Sequence, residues 1–427
     1  MQIQRVKYKD IEQIPHIQTN KKFKQDFFGS SPAPFIGRVG YPNINIGILS
    51  PQFSGDTSYY DSPKLWSKAS FKIGQVASLR YGLVNSRTNW NVKNVMNRHN
   101  QITKNNFSDI DNTNNILTKK SSLFNKTQKF IDLCQEVGMA KKSAELEINL
   151  EKNPKLQFKP EKEIIPFGPQ SQVKSAKITS NTKVDQKVER VVSDTDLKAT
   201  PAILNLYQKG FEETSLNKLI SVGNLGIGKN RKLVPTRWSI TAVDDIISKD
   251  LIKEIKQYPA DSDYKLYFGG DWGNYYLILF YPDVWSYELF ETYLEKKVNP
   301  WSKNGFLYST DYENFKGRKT YAEECAGGYY AARLPVLEKM KLNKKQNSAL
   351  VLRFITPEYN VPLGVWVCRE ATRKSLTSRE ISFSDEKLMV NYAKEIVKNK
   401  FGFDLNLLLT KSQLLKSRKT QTKLIDY

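Results

Sequence analysis

The sequence predicts an α+β fold with mixed sheets, hairpins, packed helices, two domains and long polar insertions. Three observations lead there. β-rich runs are separated by Gly/Asp/Asn turns, as in "YKLYFGGDWGNYYLILFYP". Amphipathic runs carry capping residues and terminal glycines, as in "SDEKLMVNYAKEIVKNKFGF". Strand and helix patterns do not alternate regularly, which argues against a doubly wound sheet.

Taken in order, residues 1–25 form a polar, basic tail that includes Lys21, Lys22 and Lys24. Order begins at Asp26, where Gly and Pro punctuate short apolar runs. Within that stretch "NINIGIL" alternates Asn and Ile as a half-buried strand does. Around residues 100–125 and 168–190 the composition turns to Asn, Lys, Ser and Thr, the mark of exposed insertions. "FIDLCQEVGMA" reads between them as a short helix. "LKATPAILNLYQKGF" is a helix closed by Gly210. "WSITAV" reads as a strand, and "DDIISKDLIKEIKQY" as a helix with Ile247, Leu251 and Ile255 on one face. "WSYELFETYLEKK" has the spacing of an amphipathic helix. Ser348 to Glu370, "SALVLRFITPEYNVPLGVWVCRE", reads as a second hairpin around a Pro/Asn turn. The last helix has Ser384 as its cap, Leu388, Tyr392 and Ile396 on one face, and Gly402 at its end. A basic tail follows from residue 411 to 427.

The chain has 427 residues and carries 66 Lys+Arg against 44 Asp+Glu, a formal charge of +22. That excess favours polyanionic partners, since neutralised phosphates release counterions. No apolar stretch suits a bilayer span, and the N-terminal residues lack the h-region of a signal peptide, so a soluble, intracellular protein without membrane contact is expected. Cys134, Cys325 and Cys368 are far apart, and only two histidines exist. No zinc site is expected. A metal, if used, would be a hard cation such as magnesium on carboxylates.

The richest segment is "GIGKNRKLVPTRWSITAVDD", Gly226 to Asp245. From Gly223 it nearly fits a phosphate-cradling loop. However, Asn230 stands where a magnesium-binding hydroxyl belongs, and Pro235 blocks the helix that should follow. A looser anion site is the better reading. Gly226 and Gly228 let backbone N–H groups approach an oxyanion, and Lys229, Asn230, Arg231, Lys232 and Arg237 supply donors and charge. Trp238 offers a stacking face. Asp244 and Asp245 are the candidate metal-holding or acid–base pair. The structural alternative is equally open: a helix cap, a solvated basic loop and a core tryptophan. "FIGRVGYPNINIG" adds Arg38 and Tyr41 between tight glycine bends. In "ECAGGYYAARLPVLEKM" the paired glycines suit close helix–sheet packing better than a phosphate site. At the end, Gln421, Leu424 and Tyr427 follow Q-x-x-[aliphatic]-x-x-[aromatic], a spacing that presents two plugs and an anchoring amide to a pocket. Peptides that dock on DNA sliding clamps use this spacing.

The segments "FIGRVGYPNINIG", "GKNRKLVPTRWSITAVDD", "GGYYAARLPVLE" and "PEYNVPLGVWVCRE" resemble, in this order, the signature segments of the archaeal Nre family of DNA repair proteins. The resemblance spans roughly Asp26 to Phe403 outside the Asn/Lys-rich middle. It implies a role in the response to DNA damage, a cytoplasmic archaeal setting, and recruitment to the sliding clamp through the terminal peptide. It also implies an N-terminal domain over residues 26–297 and a smaller C-terminal domain over 298–410, divided near Val298. Some members carry an N-terminal cysteine cluster resembling a zinc ribbon, and no cysteine precedes Phe27 here. No catalytic assignment comes with the resemblance. The expectation is a clamp-recruited DNA repair protein with a basic site for nucleic acid or a nucleotide. The alternatives are an enzyme acting on a nucleotide or nucleic-acid end, with Asp244 and Asp245 holding a metal, and a non-catalytic clamp-binding adaptor.

Overall fold

The computed structural model describes residues 23–93, 116–155, 167–294 and 307–420, leaving the side chains of 116–125 and of Lys229 undescribed. Two six-stranded mixed sheets organise two domains of an α+β fold. The first sheet holds β1 (Asp26–Ser31), β2 (Ala33–Ile36), β3 (Asn43–Ser50), β4 (Val84–Asn91), β5 (Ala144–Leu150) and β6 (Gln170–Ile178), in the order β1-β5-β6-β4-β3-β2. Between β3 and β4 the chain forms α1 (Pro63–Lys68) and α2 (Ile73–Tyr81), and between β4 and β5 it forms α3 (Ile116–Met139). Ile44, Ile46 and Ile48 of β3 are buried with Phe130, Ile131, Cys134 and Val137 of α3, which bears out the Asn/Ile alternation. The helix predicted at "FIDLCQEVGMA" is the C-terminal part of this longer α3.

The next four helices are α4 (Gln186–Ser193), α5 (Ala199–Gln208), α6 (Glu213–Ser221) and α7 (Thr236–Ile255). The second sheet then takes β7 (Tyr264–Asp271), β8 (Asn274–Tyr281), β9 (Ser286–Tyr293), β10 (Leu307–Glu313), β11 (Ser348–Ile355) and β12 (Ile381–Phe383), in the order β10-β9-β11-β8-β7-β12. α8 (Gly327–Asn343) precedes β11, and α9 (Trp366–Leu376) follows it. The chain ends with α10 (Glu386–Phe401), α11 (Asn406–Leu409) and α12 (Gln413–Thr420). Both faces of this sheet are covered. Tyr276, Ile278 and Phe280 of β8 join the core beneath α7, α8 and α9, while Leu277, Leu279 and Tyr281 face α10, α11 and α12. A strand buried on both faces reads as a continuous apolar run, as "YYLILFY" does.

Several expectations need correction. "WSITAV" lies within α7, not in a strand. "WSYELFETYLEKK" contains the central strand β9, not a helix, because its polar residues are satisfied inside the core. Glu288 accepts hydrogen bonds from the backbone N–H of Gln413 (2.8 Å) and Leu414 (2.9 Å), and Glu291 pairs with Arg353. The second hairpin is only half right. β11 is the strand foreseen, but both its edges are already paired, with β8 and β9, so the following run folds as α9. The polar stretch at 168–190 contains β6, an interior strand held by main-chain pairing to β5 and β4 with no fully buried side chain. In α10 the cap is Asp385 rather than Ser384, and the buried face is Met389, Ala393 and Val397. Leu388 and Tyr392 point outward, and Gly402 closes the helix at φ 64° as foreseen. Residues 1–22 and the proposed boundary near Val298 lie outside the described residues. β9 and β10, on either side of that boundary, pair with each other.

Candidate nucleic-acid interface

Between α6 and α7 the chain makes a glycine-rich excursion. Gly226 and Gly228 take positive φ values of 114° and 46°, a conformation that costs glycine little. The loop is then clasped by Arg231. Its Nε donates to the Gly226 carbonyl (2.7 Å), Nη1 to Val192 (2.8 Å) and Nη2 to Asp194 (2.7 Å). This guanidinium serves main-chain carbonyls of the loop and of the end of α4, a role the sequence reading had not foreseen for it. Asn230 is exposed and closes the short turn through its backbone. Lys232 is exposed beside the loop's exit.

That exit is tied down. Ser221 Oγ donates to the Val234 carbonyl (2.9 Å) and lies 3.1 Å from Thr236 Oγ1, which also accepts from the Ile36 N–H at 2.9 Å. The start of α7 is thereby fixed against the β2–β3 hairpin, and the first two glycine-rich segments meet. The N-cap, Pro235, offers α7 no side-chain cap, and no acidic residue stands in its first turn, so its positive end is left without a carboxylate of its own. Arg237 is half-buried there. Trp238 is 44% exposed and packs on Tyr41, 53% exposed, with ring centroids 5.1 Å apart at 54°. Tyr41 is presented by a tight turn in which Gly40 has φ 82° and Asn43 N–H bonds the Gly40 carbonyl (2.8 Å). Arg38 sits half-buried in the same turn. Trp238 is therefore a surface ring and not a core one.

Two turns further along α7 the chemistry changes. On a helix, neighbouring residues diverge by about 100°, so Asp244 and Asp245 do not converge on one point. Asp244 is fully buried with Arg369 at 2.7 Å. Asp245 bonds Arg333 and Lys249, both at 2.6 Å. Burial pushes the Asp244 carboxyl up to about 6, with Arg369 opposing it, while Oδ2 finds no hydrogen-bond partner among the described residues. The network extends further. Arg333 reaches Glu313 (2.9 Å), Arg369 reaches Glu370 (3.1 Å), and Arg373 bonds Glu338 (2.7 Å), Glu370 (3.0 Å) and Glu213. Burial would raise Glu213, yet Arg369 and Arg373 hold it down to about 2. Asp244 and Asp245, expected to hold a metal, instead tie α7 to α9 and α8, Glu213 joins α6 to α9, and the described residues contain no cluster of three potential metal ligands. Sequence reading missed this network, although Arg333, inside the apolar run "YYAARLPVL" of α8, was a visible sign of buried pairing.

The paired glycines open α8. A Cβ on Gly328 would fall 2.3 Å from Glu291 Oε1, so the protein's own carboxylate lies against this helix start. Close helix–sheet packing, the preferred reading, accounts for them. Nearby, Tyr321 is 52% exposed and stacks on Tyr330 at 5.2 Å and 29°. This second surface ring was not singled out in the sequence. Gln421, Leu424 and Tyr427 lie outside the described residues. Residues 413–420, expected to be tail, form α12. Leu414 is buried, and Arg418 bonds Asp283 (3.2 Å) and Glu386 (2.9 Å) and lies over the Tyr281 ring at 4.2 Å. No helix among the described residues is long and apolar enough to cross a membrane.

Comparison with known proteins places these segments in a lineage. The family description "Archaeal Nre, N-terminal" matches residues 7–302, and "Archaeal Nre, C-terminal" matches 313–427. The DNA repair protein NreB of Archaeoglobus fulgidus is 32% identical over 411 residues, 96% of this chain and 94% of its own length. The DNA repair proteins NreA of Haloferax volcanii (32%, covering 81% of this chain and 76% of its own) and of Archaeoglobus fulgidus (33%, 87% and 85%) are similar over most of their lengths. No solved structure matches the chain. With the family descriptions together covering nearly all of the sequence, including the loop that joins α6 to α7, the chain belongs to the archaeal Nre family.

Proposed function

We propose that this chain acts in DNA repair, as the names of its relatives say of them, by gripping the phosphate backbone of DNA at the start of α7. The observation that carries this reading is the uncapped, acid-free first turn of α7, with Lys232 exposed beside it and Arg237 within it. Aligned backbone dipoles and cations there favour an anion, and the charge of +22 draws polyanions toward the surface. Arg38 stands on the adjoining turn and Lys229 in the loop before it. Recruitment to a sliding clamp through Gln421, Leu424 and Tyr427 completes the proposal, resting on their spacing. The enzyme alternative is less supported, since Arg369, Arg333 and Lys249 already hold Asp244 and Asp245.

The test is DNA binding by the full chain over a range of salt. Affinity should fall steeply with salt, and changing Lys232 and Arg237 together to Gln should flatten the log–log slope by about 2, roughly 0.9 for each phosphate no longer neutralised. An unchanged slope and affinity would overturn the grip. It would leave the adaptor reading, which is checked separately by loss of clamp binding in Leu424→Ala, Tyr427→Ala.

A further inference from the structure

Two aromatic pairs stand beside the first turns of α7, and of their four rings only Tyr330 is buried in the core. In one, Trp238 leans on Tyr41. In the other, Tyr321 lies flat on Tyr330, whose hydroxyl accepts the Ala322 N–H at 2.9 Å. Tyr321 lies close to Thr241 and Arg237 of α7. Arg237 and Thr241 are one helical turn apart, about 6 Å along the axis. In each pair a second ring holds the outer one in place, so little side-chain freedom is lost when a flat ligand stacks on it.

Surface rings of this size, more than two-fifths exposed, ask what covers them, and the surrounding charge answers. Lys232 is exposed on the loop that leads into α7. Lys316 and Lys319 are exposed on the loop between β10 and α8, together with Glu323 and Glu324, the latter accepting the Thr310 N–H at 3.0 Å. An apolar protein partner would not call for Lys232 and Arg237 beside these rings. A duplex would offer phosphates to the cations but keep its base faces stacked internally, leaving the rings without a partner. Unpaired nucleotides supply both a backbone anion and a free π-face.

We propose that the Trp238–Tyr41 and Tyr321–Tyr330 pairs are stacking platforms for unpaired bases, so that the ligand at the start of α7 is single-stranded DNA. This rests on the phosphate grip proposed above and names its substrate class. Neighbouring bases would stack on the two platforms while the connecting backbone crosses the helix start beside Arg237.

The experiment is fluorescence anisotropy of the full chain with three labelled probes of equal length: an oligo-dT strand, an abasic strand and a duplex. The strand should bind tightest. Trp238→Ala and Tyr321→Ala should each weaken oligo-dT binding roughly five- to a hundredfold, leave abasic binding nearly unchanged, and leave the melting temperature in place. Trp238→Phe, which keeps a ring, should retain most of the affinity and guards against a folding artefact. Equal binding of oligo-dT and abasic strands, or alanine variants without effect while Lys232→Gln still weakens binding, would overturn the platforms and leave the grip standing. Absence of DNA binding, or indifference to Lys232→Gln and Arg237→Gln as well, would overturn both.

Discussion

The two halves of α7 and its approach carry similar residue types and put them to opposite uses. At the start Lys232 and Trp238 meet solvent, no carboxylate caps the helix, and the aromatic rings face outward. In the middle Asp244 and Asp245 turn toward α8 and α9 and are closed off by guanidinium groups. Charge density along the sequence is much the same in both. What differs is whether a counter-charge arrives from another part of the chain, and only three-dimensional packing decides that. A charged segment is open to a ligand where the fold leaves its cations at the surface.

The sharpest way to break this contrast is Arg369→Met. It strands Asp244 in the core and weakens the hold on Glu370 and Glu213, so unfolding free energy should drop by about 3–5 kcal/mol, read from denaturant titration. Next comes Gly328→Ala, which drives a methyl group against the Glu291 carboxylate. It should cost about 1–3 kcal/mol, and a melting curve indistinguishable from the parent would refute the close packing. Asp244→Asn should cost less than about 1 kcal/mol at neutral pH, because burial already disfavours the ionised carboxylate there. Its signature lies in pH dependence. A carboxyl raised from 3.8 to about 6 takes up its proton earlier in the folded state, so this group adds stability as pH falls from about 6 toward 4. The Asn variant should lose that component. Glu213, held at about 2, acts the other way: its contribution is present above about 4.3 and is lost as pH falls through 2. At the exposed end, Lys232→Gln should change stability by no more than about 0.5 kcal/mol while still weakening DNA binding.

Much of this could be read from the sequence, and the failures share a cause. The β7–β8 hairpin, the Ile face of β3, and the Gly210 and Gly402 stops were legible because turn chemistry and periodicity are local. β9 was not, since Glu288 and Glu291 look solvent-facing until the N–H groups of Gln413 and Leu414 and the Arg353 guanidinium arrive from distant positions. α9 was not, because a β-branched run became helical only where β11 had no free edge left. At the candidate site, the basic loop and Trp238 were legible as types. The diversion of Arg231 to three carbonyls and the placement of Tyr321 beside α7 depend on tertiary packing that no local pattern encodes.

The seating of α12 has a further consequence. Its first turn rests on Glu288 and its last on Asp283 and Glu386, on the side of the second sheet away from α7. Tyr427 lies seven residues beyond Thr420, so chain length alone keeps it within about 25 Å of that residue. A partner caught at Leu424 and Tyr427 would be moored close to one fixed corner of the body, at an effective concentration in about the millimolar range. The face that carries α7 would stay open to whatever that partner encircles.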